Sequence, residues 1–273
     1  MNLVAQGPQM TREFALQLGS LAGVEPKKIV YQAYRYSGVK ADPDIARWCE
    51  ERRIDHAFVP EGWRFEDLKL LAMDMDSTLI TIECIDELGD LAGKKAEVAA
   101  VTEQAMRGEI DYPESLRRRV AAIAGLPEKD LFRVYDERLK LSHGAEALLS
   151  ACKKHGVQVL LVSGGFTFFT ERLKARLGLH HTISNVLEVK DGKLTGALVG
   201  EIVDADAKAR KFREVAAGLQ KTQTVAIGDG ANDLKMMAEA GLSVAYRAKP
   251  VVRAQAACAL NWSGLDAVVN LFE

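Results

Sequence analysis

Three strand-length apolar runs, each ending in acids or glycines, constrain this chain more than any other feature. They are LKLLAMDMDST (68–78), VQVLLVSGG (157–165) and TVAIGDGAND (224–233). Lys69–Asp74, Val157–Ser163 and Thr222–Ile227 read as buried strands, too short and too uniformly apolar for amphipathic helices. Helical patterns lie around them at Gly144–His155, Gly165–Leu177, Asp206–Leu219 and Ala231–Ala240, and a further strand at Leu242–Tyr246. Short apolar strands alternating with helices predict an α/β fold: a Rossmann-like, mostly parallel sheet with helices on both faces. Asp191-Gly192, between Thr182–Val189 and Lys193–Val199, predicts a hairpin.

Two segments depart from that rhythm. Between 84 and 140 the chain carries LAGKKAEVAAVTEQAM, PESLRRRVAAIAG and PEKDLFRVYDERL, all helical in pattern with no strand among them. This predicts a helical cap inserted after the first core strand, able to act as a lid over the C-terminal edge of the sheet. Residues 1–66 predict a small N-terminal α/β segment. Its elements are a helix at Thr11–Ala22, a strand at Lys28–Tyr36, a helix at Pro43–Arg52 and a strand at Asp55–Val59. A linker around Pro60 and Gly62 closes it. The expected division is therefore 1–66, a core of 67–83 with 141–273, and a cap of 84–140.

Composition narrows the function. With 48% hydrophobic residues in 273, the chain can bury a sizeable core, and a net charge of −2 offers no basic excess for nucleic acid. No apolar run approaches the roughly 18–20 residues of a membrane span. The start, MNLVAQGPQMTREF, has no positive stretch leading into an apolar one. A cytoplasmic protein with neither nucleic-acid nor membrane partner is expected. Cys49, Cys84, Cys152 and Cys258 form no CxxC pair and read as reduced, buried thiols. His180 and His181 read as loop or surface residues.

Open parallel sheets bind ligands beyond the C-terminal ends of their strands. Here those ends carry Asp74 and Asp76, then Ser163, Gly164 and Gly165, then Asp229, Asn232 and Asp233. Asp74 and Asp229 could jointly hold Mg2+, a hard cation that takes oxygen ligands, with the Asp76 backbone carbonyl as a third oxygen. Ser163 and the amides of Gly164 and Gly165, at a helix N-terminus, suit phosphate oxygens. Lys208 adds a positive charge. Asp76 remains free to exchange protons. Singly, each piece has a plainer reading as a surface turn or a solvated charge. Their order and their strand-end placement favour phosphoryl transfer.

DMDST, SGG, a mid-chain lysine and GDGAND, in that order, resemble the four signature motifs of the haloacid dehalogenase-like superfamily, over about residues 69–272. TIECIDELG (81–89), EQAMRGEIDYPESLRRRV (103–120) and DGKLTG (191–196) are similar to the members that hydrolyse O-phosphoserine in L-serine biosynthesis. The resemblance implies that Asp74 is the nucleophile, that Asp76 is the general acid/base, and that Asp229 joins Asp74 and Asp76 around Mg2+. It implies phosphate contacts from Ser163, Gly164 and Lys208, with Asn232 and Asp233 supporting phosphate, lysine and metal. In the cap it implies that Glu83 and Arg119 grip the substrate ammonium and carboxylate, and that Met106 and Tyr112 line the pocket. A bidentate arginine for a carboxylate also makes chemical sense unaided.

Three other functions stay open at this point. They are a phosphatase for another small monoester such as phosphothreonine, a receiver domain phosphorylated on aspartate, and a binding protein without catalysis. The N-terminal segment is compatible with a shortened regulatory domain of the ACT type. Ligand binding, support of a homodimer and simple packing on the main domain are equally open for it.

Overall fold

The computed structural model describes residues 1–273. The chain divides into two compact units, residues 1–72 with 142–159 and 216–273, and residues 73–141 with 160–215.

In the first unit, the chain begins with β1 (Asn2–Gln6), α1 (Arg12–Ala22), β2 (Lys27–Val30), β3 (Ala33–Tyr36), α2 (Pro43–Glu51) and β4 (Asp55–Val59). These form a βαββαβ motif whose antiparallel sheet runs β2-β3-β1-β4. The Thr11 hydroxyl accepts the Phe14 N–H and starts α1, and Gly23, in the left-handed region, stops it. Asp42 caps α2, with Pro43 at its first turn. Leu3, Ala5, Leu18, Tyr36, Ile45 and Ile54 fill the core. Strand β1 lies outside the sequence expectation. All five of its residues are buried, so it lacks the polar alternation that marks a one-sided strand.

The same unit anchors β1, β3 and β4 to the end of the chain. Gln6 Nε2 donates to the Ala267 carbonyl at 3.1 Å. Arg35 Nη2 donates to the Asn270 and Phe272 carbonyls at 3.0 and 2.5 Å. The Asp55 carboxylate accepts the backbone N–H groups of Asn261, Trp262 and Ser263. The single strand expected over Lys28–Tyr36 is in fact the two strands β2 and β3. They fold back at Tyr31-Gln32, where Gln32 adopts φ +61° without any Gly, Pro or Asn to signal a turn.

Downstream come β5 (Leu70–Met73), α3 (Cys84–Leu91), α4 (Lys95–Met106), α5 (Tyr112–Ala122), α6 (Lys129–Arg133) and α7 (Ala145–His155). Then follow β6 (Gln158–Phe166), α8 (Thr167–Leu177), β7 (His181–Lys190), β8 (Lys193–Val199) and α9 (Ala205–Val215). The chain ends with β9 (Thr224–Gly228), α10 (Leu234–Glu239), β10 (Leu242–Tyr246), α11 (Pro250–Arg253) and β11 (Cys258–Leu260). The seven-stranded sheet has the order β11-β10-β9-β5-β6-β7-β8. The pairs β9–β10, β10–β11 and β6–β7 are parallel, and the β7–β8 hairpin is antiparallel. This is the expected mostly parallel α/β sheet. Strand β11, only three residues long, was not anticipated.

In the second unit, α3 to α6 occupy the insertion with no strand among them, as its pattern predicts. Ile80 and Leu141, at the two ends of the insertion, form a bridge, and the Thr81 N–H donates to the Lys140 carbonyl at 3.0 Å. Gly125 N–H donates to the Leu194 carbonyl and Leu194 N–H to that of Leu126, which binds the insertion to the hairpin. Gly196, at φ +86°, brings β8 so near the end of α5 that an added β-carbon would lie 3.3 Å from Ala121 Cα and 2.8 Å from Ala124 Cβ just beyond the helix. All four cysteines are buried free thiols. No helix is long and apolar enough to cross a membrane.

Candidate active site

The turn after β5 carries the first functional group. Asp74 is buried, and its Oδ1 accepts two hydrogen bonds of 2.8 Å, from the Met75 N–H and from Lys208 Nζ. Lys208 is fully buried on α9. The Asp204 side chain accepts the Ala207 N–H at 2.9 Å and fixes the first turn of that helix. A buried ammonium needs such an anionic partner to stay charged. Past Met75 the chain reverses at Ser77, whose φ is +55°.

Asp76 has its own partner. Its Oδ1 accepts the Cys84 N–H at 3.0 Å. Burial raises the Asp76 carboxyl to about 7, with the Glu83 charge adding to the rise, while the Cys84 hydrogen bonds and Lys208 oppose it. Asp76 is therefore partly protonated near neutrality, a state suited to an acid that later acts as a base. Ser77 Oγ donates to Glu83 Oε1 at 2.6 Å.

Strand β6 ends in the second group of residues. Ser163 is fully buried, and its Oγ accepts the Gly165 N–H at 2.8 Å. A β-carbon at Gly165 would lie 2.6 Å from Asp76 Oδ2 and 3.0 Å from Ser163 Oγ. Any side chain there would collide with both. The helix expected from Gly165 begins two residues later, at Thr167, because β6 runs on through the glycines to Phe166. Tyr112, from α5, donates its hydroxyl to the Gly164 carbonyl at 3.2 Å. Burial pushes the Tyr112 phenol up to about 12, with Lys208 and Arg119 pulling it down.

The cap residues separate by burial. Of Arg117, Arg118 and Arg119, only Arg119 is half-buried, and Arg118 pairs outward with Glu114 at 2.7 Å. Burial raises the carboxyl of nearby Asp86, and the Arg119 charge opposes that rise. Met106, expected to line the pocket, ends α4 with 69% of its surface exposed.

The loop after β9 carries the remaining acids. Asp233 is fully buried and its Oδ2 accepts the Gly230 N–H at 3.1 Å. Asn232 is half-buried. Gly228 leaves no room for a side chain, because its β-carbon would meet Asp233 at 2.5 Å. Asp74, Asp229 and Asp233 can each offer a carboxylate oxygen within 4.8 Å of the others. Three hard anionic oxygens so placed suit a divalent cation. The sequence reading gave Asp233 a supporting part around phosphate, lysine and metal, and its carboxylate lies beside those of Asp74 and Asp229. No motif marks Asn185, a buried strand residue that hydrogen-bonds Gly164, and an isolated Asn in a strand carries no signal of its own.

A sequence model for haloacid dehalogenase-like hydrolases matches residues 71–238. The chain is 56% identical over 215 residues to a phosphoserine phosphatase of Polaromonas sp., covering 76% of this chain and 91% of that one. Among solved structures it is similar to a probable phosphoserine phosphatase from Vibrio cholerae. The TM-score is 0.85 at 37% identity, over 99% of this chain and 86% of that one. It is also similar to a substrate-bound phosphoserine phosphatase complex, with a TM-score of 0.71 at 36% identity, over 76% of this chain and 99% of that one. The chain belongs to the haloacid dehalogenase-like hydrolases.

Proposed function

We propose that the chain hydrolyses O-phospho-L-serine to L-serine and phosphate through an aspartyl phosphate on Asp74, as a step of L-serine biosynthesis. The observation that carries this reading is the division of labour between two buried carboxylates. Asp74 is paired with the buried Lys208 ammonium at 2.8 Å, while burial raises the carboxyl of Asp76, two residues on, to about 7. One carboxylate is thereby equipped to attack and the other to move protons.

Asp74, Asp229 and the Asp76 backbone carbonyl would hold Mg2+, with the Asp233 carboxylate in support, and the ion would supply charge neutralisation for the phosphate when bound. Lys208 adds to that neutralisation and lessens the repulsion between the phosphate and Asp74. An Asp74 carboxylate oxygen bonds to phosphorus in line as the phosphorus–serine oxygen bond breaks. The Asp76 proton passes to the departing serine oxygen. Asp76, now ionised, takes a proton from water. The water oxygen bonds to phosphorus, the bond to Asp74 breaks, and phosphate leaves. Acid–base help of this kind contributes typically about 100–10,000-fold. Dividing one hard displacement into two is the gain of the covalent route.

Ser163 and Gly164 bind phosphate oxygens with Asn232 in support, Glu83 reads the ammonium, Arg119 reads the carboxylate, and Tyr112 closes the pocket wall. Residues 84–140 act as the cap. The test is phosphate release from a panel of small monoesters (phosphoserine, phosphothreonine, phosphoethanolamine and an aryl phosphate) with and without Mg2+. The reading requires phosphoserine to lead the panel, turnover to depend on the metal, and a hydroxylamine-sensitive phosphoenzyme that Asp74→Asn abolishes. A normal rate in Asp74→Asn would refute it.

A further inference from the structure

Between β6 and β7 the parallel ladder is interrupted. Val162 pairs with Ile183 and Phe166 with Asn185, so Ser163, Gly164 and Gly165 span a stretch that one residue, Ser184, spans on the partner strand. The turn at 163–165 therefore leaves the ladder, and its peptide groups need other partners to hold them.

The Asn185 side chain provides one. It is 1% exposed, and both ends of its amide are engaged. Nδ2 donates to the Gly164 carbonyl at 2.7 Å, and Oδ1 accepts the Val203 N–H at 2.8 Å. The Gly164 carbonyl belongs to the same peptide group as the Gly165 N–H, which donates to Ser163 Oγ. Fixing one end of that planar group fixes the other. Val203 precedes Asp204, whose carbonyl accepts the Lys208 N–H at 3.0 Å in the first turn of α9. One side chain thus joins the turn that presents Ser163 to the start of the helix that carries Lys208.

We propose that Asn185 is a positioning residue for the phosphate site, setting the Gly164–Gly165 peptide plane, and through it Ser163 Oγ, in register with Lys208. It touches no reacting atom. The inference rests on the reading of Ser163 and Lys208 as phosphate contacts.

The test compares Asn185→Ala, which loses both hydrogen bonds, with Asn185→Asp, which keeps the acceptor for Val203 and loses the donor to Gly164. Thr170→Val serves as a control. It removes another hydrogen bond of the same region, the 2.7 Å contact between Thr170 and Ser184, without touching the turn. For each, kcat, KM, Tm and the inhibition constant of inorganic phosphate are measured in Mg2+ well below the melting temperature. Both Asn185 variants are expected to lose about 10- to 100-fold in kcat, the scale of a small misplacement near the chemistry. Their phosphate inhibition constants should rise several-fold, while Thr170→Val moves Tm alone.

A folded Asn185 variant with wild-type kcat and phosphate inhibition overturns the proposal, whatever its Tm. Asn185→Asp keeps the test open if Asn185→Ala does not fold. Lys208→Ala separates the two layers. If it too keeps phosphate inhibition unchanged, the phosphate-site reading fails. If it weakens inhibition while the Asn185 variants do not, only the positioning role fails.

Discussion

Lys208 Nζ lies 2.8 Å from Asp74 Oδ1, with the lysine side chain fully buried and that of the aspartate 8% exposed. Each charge offsets part of the desolvation of the other, so removing either one alone should destabilise the interior. Breaking a buried pair typically costs about 3–5 kcal/mol, whereas replacing both partners by neutral groups costs far less. Asp74→Asn and Lys208→Met should therefore each lower the melting temperature of the metal-free protein by roughly 6–20 °C, at about 2–4 °C per kcal/mol for a chain of this size. The double variant should recover most of that loss while staying inactive. Calorimetry on the four proteins checks this. Additive losses in the double variant would show that the pair is not energetically coupled.

Gly165 gives a second prediction through Asp76. The β-carbon of Gly165→Ala would lie 2.6 Å from Asp76 Oδ2 and 2.9 Å from Met75 Cε, so Asp76 must yield. The substitution adds only a methyl group, and φ at 165 is not in the left-handed region, so the stability cost should stay within about 1–3 kcal/mol. The rate of phosphoenzyme formation should fall about 10- to 100-fold for phosphoserine, whose alkoxide needs the proton. It should fall less for an aryl phosphate, whose leaving group does not. Rapid-quench measurement on both substrates checks this, and equal losses would count against displacement of the acid.

The sequence pointed to strand ends, because ligands of open parallel sheets gather there. Asp74, Ser163 and Asp229 each follow an apolar run whose end could be read directly. What it did not disclose depends on tertiary burial. Strand β1 is covered on both sides and shows no period, and Gln32 turns the chain without a turn residue. A cap motif suggested Met106 for the pocket wall, and its side chain is 69% exposed at the end of α4. Asn185 escaped because a single amide in a strand gains its meaning only from the broken ladder beside it.

Ser77 holds Glu83 by a 2.6 Å hydrogen bond from a backbone conformation with φ +55°. A hydrogen bond to a charged group contributes about 1.5–3 kcal/mol. If Glu83 reads the substrate ammonium, Ser77→Ala should raise KM for phosphoserine by about 10-fold or more. It should leave KM nearly unchanged for 3-phosphooxypropanoate, which has the carboxylate but no ammonium. Steady-state kinetics with the two compounds separate this from a general loosening of the turn, which would weaken both.

Arg117, Arg118 and Arg119 are chemically identical neighbours, so the cap offers an internal control. Arg117 and Arg118 face solvent, and Arg118 is spent on Glu114, whereas Arg119 is half-buried and its charge reaches Tyr112 and Asp86. Arg119→Ala should raise KM for phosphoserine by about 10- to 100-fold, the loss of one charge-assisted contact. Arg119→Lys should recover only part of this, because an ammonium cannot pair both carboxylate oxygens in one plane. Arg117→Ala and Arg118→Ala should stay within about twofold of the parent, as exposed ion pairs contribute little. For phosphoethanolamine, which keeps the ammonium but has no carboxylate, Arg119→Ala should make almost no difference. A large loss on that substrate would mean that Arg119 serves the cap's packing rather than the carboxylate.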